Sequence, residues 1–166
     1  WVQPAGEVHI TAARASFNLA YIEIDSGPYL VEPGSEAFDN GERPINVAPS
    51  NFVWLDGDDV EFLPAGNGTG AEMAFLWQDA ENGERGMLLR LAAGYRGEIA
   101  TAPGHLRAVV ASGSIDYTSG DAGIAQPLGA GSYFGSAGKA VHKIGCDTES
   151  ECSVYLRSDA PFTLSN

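Results

Sequence analysis

The sequence predicts an all-β, antiparallel domain of the sandwich or barrel kind, and three observations predict it. Apolar or alternating runs of strand length recur along the chain. Glycine supplies 21 of 166 residues, well above the roughly 7% of average usage, and much of it falls between those runs. No segment of about 12 residues holds a clean 3.6-residue period, so no helix of ordinary length is expected.

Taken in order, a single helical turn is expected at most near residues 35–40. The first strand-length run is AEMAFLW (71–77), followed by GMLLRLAAG (86–94), HLRAVVASG (105–113) and CSVYLRS (152–158). Each has the length of a strand, not of a helix. The punctuation is Asp56-Gly57, Gly66-Asn67-Gly68, Asn82-Gly83, Pro103-Gly104 and Ser119-Gly120. These pairs favour tight corners because glycine enters backbone conformations closed to other residues.

Composition narrows the classes of function. Nine basic against 22 acidic residues give a net charge of −13 without a basic cluster. Such a surface repels phosphate backbones and anionic lipid, so nucleic acid and membrane are excluded as expected partners. No apolar run approaches the roughly 18 residues that suggest a membrane span. The length suits one domain with a sizeable core.

The chain repeats itself. Residues 1–9, WVQPAGEVH, align without a gap on residues 134–142, FGSAGKAVH, and AYIEID (20–25) falls on VYLRSD (154–159) after one inserted residue. His9 and His142 occupy equivalent places.

Gly131, five residues, Ala137 in place of proline, Lys139 in place of glycine, and then His142 resembles a worn copy of the second motif of the cupin superfamily. Pro4-x-Gly6-x-x-His9 resembles that motif more closely. The pair is similar to two-cupin (bicupin) proteins of uncharacterised function. The resemblance implies a double-sheet jelly-roll barrel. On it, residues 1–31 are the closing strands of a first, truncated cupin, 32–50 a linker and 51–166 a complete second barrel. The partner implied for the first segment is a missing N-terminal half or a homo-oligomer partner.

Cupins commonly hold a divalent transition metal through His-x-His, a glutamate and the histidine of the second motif. Imidazole and carboxylate donors suit such ions, and alternate residues on a strand share a side. Counting from Gly94 places His-x-His on Ala100-Thr101-Ala102 and the glutamate on Leu106 or Arg107, none of them a ligand. No cofactor is therefore expected in the second barrel, and a divalent metal is expected only in an intact first one, with His9 as a ligand. His142 is either a residual ligand or a hydrogen-bonded barrel residue. His105, Arg107 and Tyr133 are the expected ligand-pocket residues, with Arg107 as a receptor for an anion such as a carboxylate, or else merely paired with an acidic side chain.

Other patterns carry less. Gly66-Asn67-Gly68-Thr69-Gly70 lacks the lysine and helix of a phosphate loop and reads as a turn. Asp56-Gly57-Asp58-Asp59 reads as a solvated hairpin, since the rest of a calcium loop is missing. No serine, histidine and acid set has a recognisable context.

Cys146 and Cys152 enclose a short acidic segment between two expected strands, whose ends should approach, so a disulfide is easy there. The alternatives are reduced thiols or half of a metal site. A bridge suits a periplasmic or secreted location, the cytoplasm being the alternative. Two functions follow: a metal-degenerate small-ligand-binding or structural module, or a metal-dependent bicupin enzyme (oxygenase, isomerase or hydrolase) acting on a small organic substrate from its first barrel.

Overall fold

The computed structural model describes residues 1–24, 27–65, 69–120 and 123–166. The chain divides into two units, Trp1–Phe52 and Val53–Asn166. The turn expected at 66–70 lies largely outside the described residues.

Among its described residues the second unit holds ten strands: β1 (Ala71–Gln78), β2 (Arg85–Leu91), β3 (Arg96–Thr101), β4 (His105–Ser112), β5 (Ser114–Ser119), β6 (Gln126–Gly129), β7 (Tyr133–Ala137), β8 (Ala140–Cys146), β9 (Cys152–Ser158) and β10 (Phe162–Ser165). They form two antiparallel five-stranded sheets, in the orders β1-β2-β9-β4-β7 and β10-β3-β8-β5-β6. This is the jelly-roll arrangement. Strands β1, β2, β4 and β9 lie on the four apolar runs, each of which supplies side chains to the core. In β9 the alternation is complete: Cys152, Val154, Leu156 and Ser158 are buried, and the residues between them are half-buried.

The two sheets enclose a core of Met73, Met87, Leu89, Ile99, Leu106 and Leu156, all essentially without solvent exposure. These and their neighbours fill the barrel interior. Gly97 lets the end of β10 approach β3, since a Cβ there would meet the Ser165 carbonyl oxygen at 2.3 Å. Among the described residues no helix is long and apolar enough to cross a membrane.

The first unit is different. Its regular structure comprises short 3-10 turns at Gly34–Glu36 and Pro49–Asn51 and an isolated bridge between Val2 and Ile45. The first of these turns lies at the edge of the region expected to hold one. Gly6, with φ of 81°, packs so closely on the Phe38 ring that a Cβ would fall 2.7 Å from it. The strands expected over 1–31 are not formed among the described residues of that segment. A strand exists by pairing, and this segment meets no ladder within its own unit. Tyr21, Ile22 and Ile24 accordingly stay 45%, 58% and 43% exposed.

Candidate functional site

His142 sits on β8 with its side chain inside the barrel, 1% exposed. It lies directly opposite Ile99 of β3, and paired residues in an antiparallel ladder share a face. Its Nδ1 is 2.9 Å from the Tyr117 hydroxyl, and its Nε2 is 2.9 Å from Ser136 Oγ. A hydroxyl both donates and accepts, so the two partners satisfy a neutral imidazole in either tautomer. Burial pushes the His142 pKa down, in favour of that neutral form. The rings of Phe134 and Tyr117 close around it, at 5.5 and 5.9 Å between centroids.

The pairing of β3 with β8 corrects the expected ligand positions. Ile99 pairs with His142 and Thr101 with Ala140, so Ile99 and Thr101 share the His142 side, whereas Ala100 pairs with Val141 on the opposite side. The alanines at 100 and 102 are therefore off the inner face. The same period resolves the glutamate position: Leu106 is buried in the core and Arg107 is exposed. Ile99, Thr101 and Leu106 stand around His142 where donors would be needed. One nitrogen-bearing ring with both nitrogens hydrogen-bonded does not fit a transition metal, and no cluster of three His, Cys, Asp or Glu suited to an ion occurs among the described residues.

His105, Arg107 and Tyr133 do come together, but on the outside of the sheet. All three are exposed, and with Gly135, Ser136 and Ala137 they line an open depression of about 290 Å³. This corrects the expectation of a pocket shared with the barrel interior, because the alternation that buries Leu106 turns both its neighbours outward. The hollow follows from the register. Arg107 faces Gly135 across the ladder and His105 faces Ala137, so two long side chains stand opposite two minimal ones. Tyr133 lies over the glycine, its hydroxyl 2.9 Å from where a Cβ would be.

His105 is pinned by Asp159, whose Oδ1 accepts the His105 main-chain N–H at 2.6 Å while Oδ2 lies 2.8 Å from Nδ1. These bonds hold the Asp159 carboxyl below the usual range. Next to it Arg157, directly opposite Arg107, grips Glu84 through Nε and Nη2 at 2.6 Å each and lies over the Trp77 ring at 5.5 Å. The sequence reading missed this ion pair, because Glu84 and Arg157 are joined only by the β2–β9 pairing.

His9 belongs to the first unit. Its Nδ1 accepts a hydrogen bond from the Gln3 side-chain amide, which also donates to the Glu7 carbonyl oxygen, and its ring lies 5.7 Å from that of Trp1. The aligned residues behave alike: Ser136 bonds His142, and Phe134 touches its ring. In both copies the residue six positions before the histidine is its hydrogen-bond partner.

Cys146 and Cys152 are joined, with an S–S distance of 2.09 Å. The bridge ties the end of β8 to the start of β9, with both residues fully buried in the core.

Solved structures resembling this chain include cupins. An RmlC-like cupin from Shewanella frigidimarina superposes with a TM-score of 0.52 at 17% identity, over 69% of this chain and 89% of that one. A cupin-2 domain protein from Rhodospirillum rubrum gives 0.55 at 8% identity, over 75% and 82%. A variant of salicylate 1,2-dioxygenase from Pseudoaminobacter salicylatoxidans, solved with gentisate, gives 0.50 at 18% identity, over 63% of this chain and 31% of that one. At these identities the likeness establishes the fold alone. No curated protein matches the chain significantly. The model of one family, the domain of unknown function DUF4437, matches residues 1–165, and the chain belongs to that family.

Proposed function

We propose that the barrel of residues 53–166 is a metal-free small-ligand-binding or structural module, the second cupin of a bicupin. Residues 1–31 correspond on this reading to the closing strands of a first cupin, whose remaining strands come from a preceding segment or a homo-oligomer partner. The observation that carries the reading is the state of His142: both ring nitrogens are taken by Tyr117 and Ser136, and Ile99, Thr101 and Leu106 bring no imidazole or carboxylate to its side, the Thr101 hydroxyl being bonded to the Gly138 carbonyl oxygen. The sequence repeat, with a hydrogen-bond partner six residues before each histidine, supports the duplication. A small ligand would then sit at His105, Arg107 and Tyr133, outside the barrel. The bridge between Cys146 and Cys152 suits a periplasmic or secreted location.

A second reading, a metal-dependent bicupin enzyme with its metal in the first barrel, has one observation in its favour. The spacing Pro4-x-Gly6-x-x-His9 keeps the second cupin motif more closely than residues 131–142 do, and on it His9 would be a ligand. Such a metal would supply a Lewis acid or an oxygen-binding centre to an oxygenase, isomerase or hydrolase.

Elemental analysis with zinc and manganese titration of the full chain tests both. The module reading expects far less than one tightly held metal per chain. Stoichiometric metal lost in His142→Ala would overturn it, and metal lost only in His9→Ala would favour the enzyme.

A further inference from the structure

We propose that the outer face of the β1-β2-β9-β4-β7 sheet carries a site for a small organic monocarboxylate, anchored by the Arg107 guanidinium and the Tyr133 hydroxyl. The inference deepens the small-ligand reading above and rests on it for the place of the ligand.

Its basis is an accounting of cations. Of the nine arginines and lysines, five hold a carboxylate among the described residues: Arg43 holds Asp39, Arg90 holds Glu72, Arg96 holds Asp116, Lys143 holds Glu98 and Arg157 holds Glu84. The His105 ring is taken by Asp159. Arg107 stands between these last two pairs and, among the described residues, makes no hydrogen bond or ion pair. Glu84 is near enough for Arg107 to help hold its carboxyl below the usual range, yet its oxygens are committed to Arg157. Arg107 therefore keeps its donor fork free beside a hollow made by Gly135 and Ala137.

The class of ligand follows from charge and shape. A guanidinium takes a carboxylate through two parallel hydrogen bonds. The single guanidinium lining the hollow, in a chain of net charge −13, balances a single negative charge and leaves a second unfavoured, which disfavours a phosphate dianion. The Tyr133 ring offers an apolar wall for the organic part and its hydroxyl a further donor beside Gly135. The hollow, about 290 Å³, is at the small end of ligand sites.

The test is titration of the full ¹⁵N-labelled chain with sodium benzoate, and separately with inorganic phosphate, at constant ionic strength. Benzoate should give saturable shifts at residues 105–107 and 133–137 and at the Arg107 Nε–H. Arg107→Ala should weaken binding by about tenfold or more, the loss expected for charge-assisted hydrogen bonds. Tyr133→Phe should weaken it about threefold, and Arg96→Ala, on the other sheet, should leave it unchanged. Native-like spectra of the variants establish that each is folded, and Arg107→Lys, expected to bind between wild type and alanine, keeps the charge without the fork. Undiminished binding to a folded Arg107→Ala would overturn the site, as would shifts centred on His142 or the absence of saturable shifts. Equal binding of phosphate at the same residues would overturn the carboxylate assignment. Metal content separates the two proposals: a metal-free barrel that ignores benzoate sinks the site and leaves a structural module, whereas a His142-dependent metal sinks the module reading whatever benzoate does.

Discussion

The Tyr117 hydroxyl stands 2.9 Å from Nδ1 of His142 inside the barrel, and with Ser136 on the other nitrogen it holds a neutral imidazole in the core. Burial lowers the pKa of this histidine in the fold, while in the unfolded chain it titrates near 6.5. Below about pH 6.5 the unfolded state binds the extra proton first, so stability is full above that pH and declines as pH falls, until the folded histidine is protonated too. The melting temperature of the wild type should therefore drop between pH 7 and 5. His142→Gln, which keeps hydrogen-bonding groups without a titrating ring, should flatten that drop. Parallel profiles in the two proteins would assign it to other groups.

The bidentate pair between Glu84 and Arg157 should make its own contribution at lower pH. Arg157 holds the Glu84 carboxyl below its usual range, so the stability it supplies is present above the unfolded pKa and is lost as pH falls through the folded one. Glu84→Gln should cost about 1.5–3 kcal/mol at pH 7, the range for hydrogen bonds to charged groups. Urea titrations at pH 7 and pH 3 decide it: the difference between the two proteins should be smaller at the second pH than at the first.

Strand parity makes a prediction about metal. Ile99→His, Thr101→His and Leu106→Glu together would put two imidazoles and a carboxylate on the His142 side of the barrel. Isothermal titration should show the triple variant binding one zinc per chain more tightly than wild type. Ala100→His with Ala102→His and Arg107→Glu should not gain such a site, because those positions lie off the inner face. The reverse order of affinities would mean that the register of β3 is wrong.

The disulfide carries more than its short loop suggests. Closing a loop of this size is worth about 2 kcal/mol, but both sulfur-bearing residues are fully buried. Replacing both cysteines with alanine should thus cost more than replacing both with serine, since alanine leaves a void where serine hydroxyls can donate to the Ser150 and Ser114 carbonyl oxygens, each 3.2 Å from a sulfur. Thermal melts of the two double variants test the order, and thiol titration in denaturant without reductant should find no free thiol.

Much of the barrel was legible in the sequence. The run CSVYLRS became β9 at its full length because its strict alternation leaves one way to lie against a core. The cysteine spacing announced a bridge because two strands joined by a short turn must bring their ends together. The repeat of residues 1–9 in 134–142 reappears as two histidines each bonded by the residue six positions before it, although His9 is exposed and His142 is buried. Residues 20–24 carried the same strand signal and formed no strand, since pairing depends on a partner that no local pattern supplies.

The site was legible in its residue types but not in its direction. His105, Arg107 and Tyr133 were marked as pocket residues, and they do share a hollow. Which side of the sheet they occupy was hidden, because Pro103-Gly104 breaks the count between β3 and β4, and a shift of one residue exchanges the inner for the outer face. The sequence by itself determined an all-β chain, a duplicated histidine motif, a bridged hairpin and the residues from which a site could be made. Only the tertiary structure decided that Leu106 and not Arg107 enters the core, that Ile99 and Thr101 stand beside His142, and that Glu84 meets Arg157. Those relations depend on the register between strands distant in sequence, which is set by packing of the whole sheet and not by any one strand.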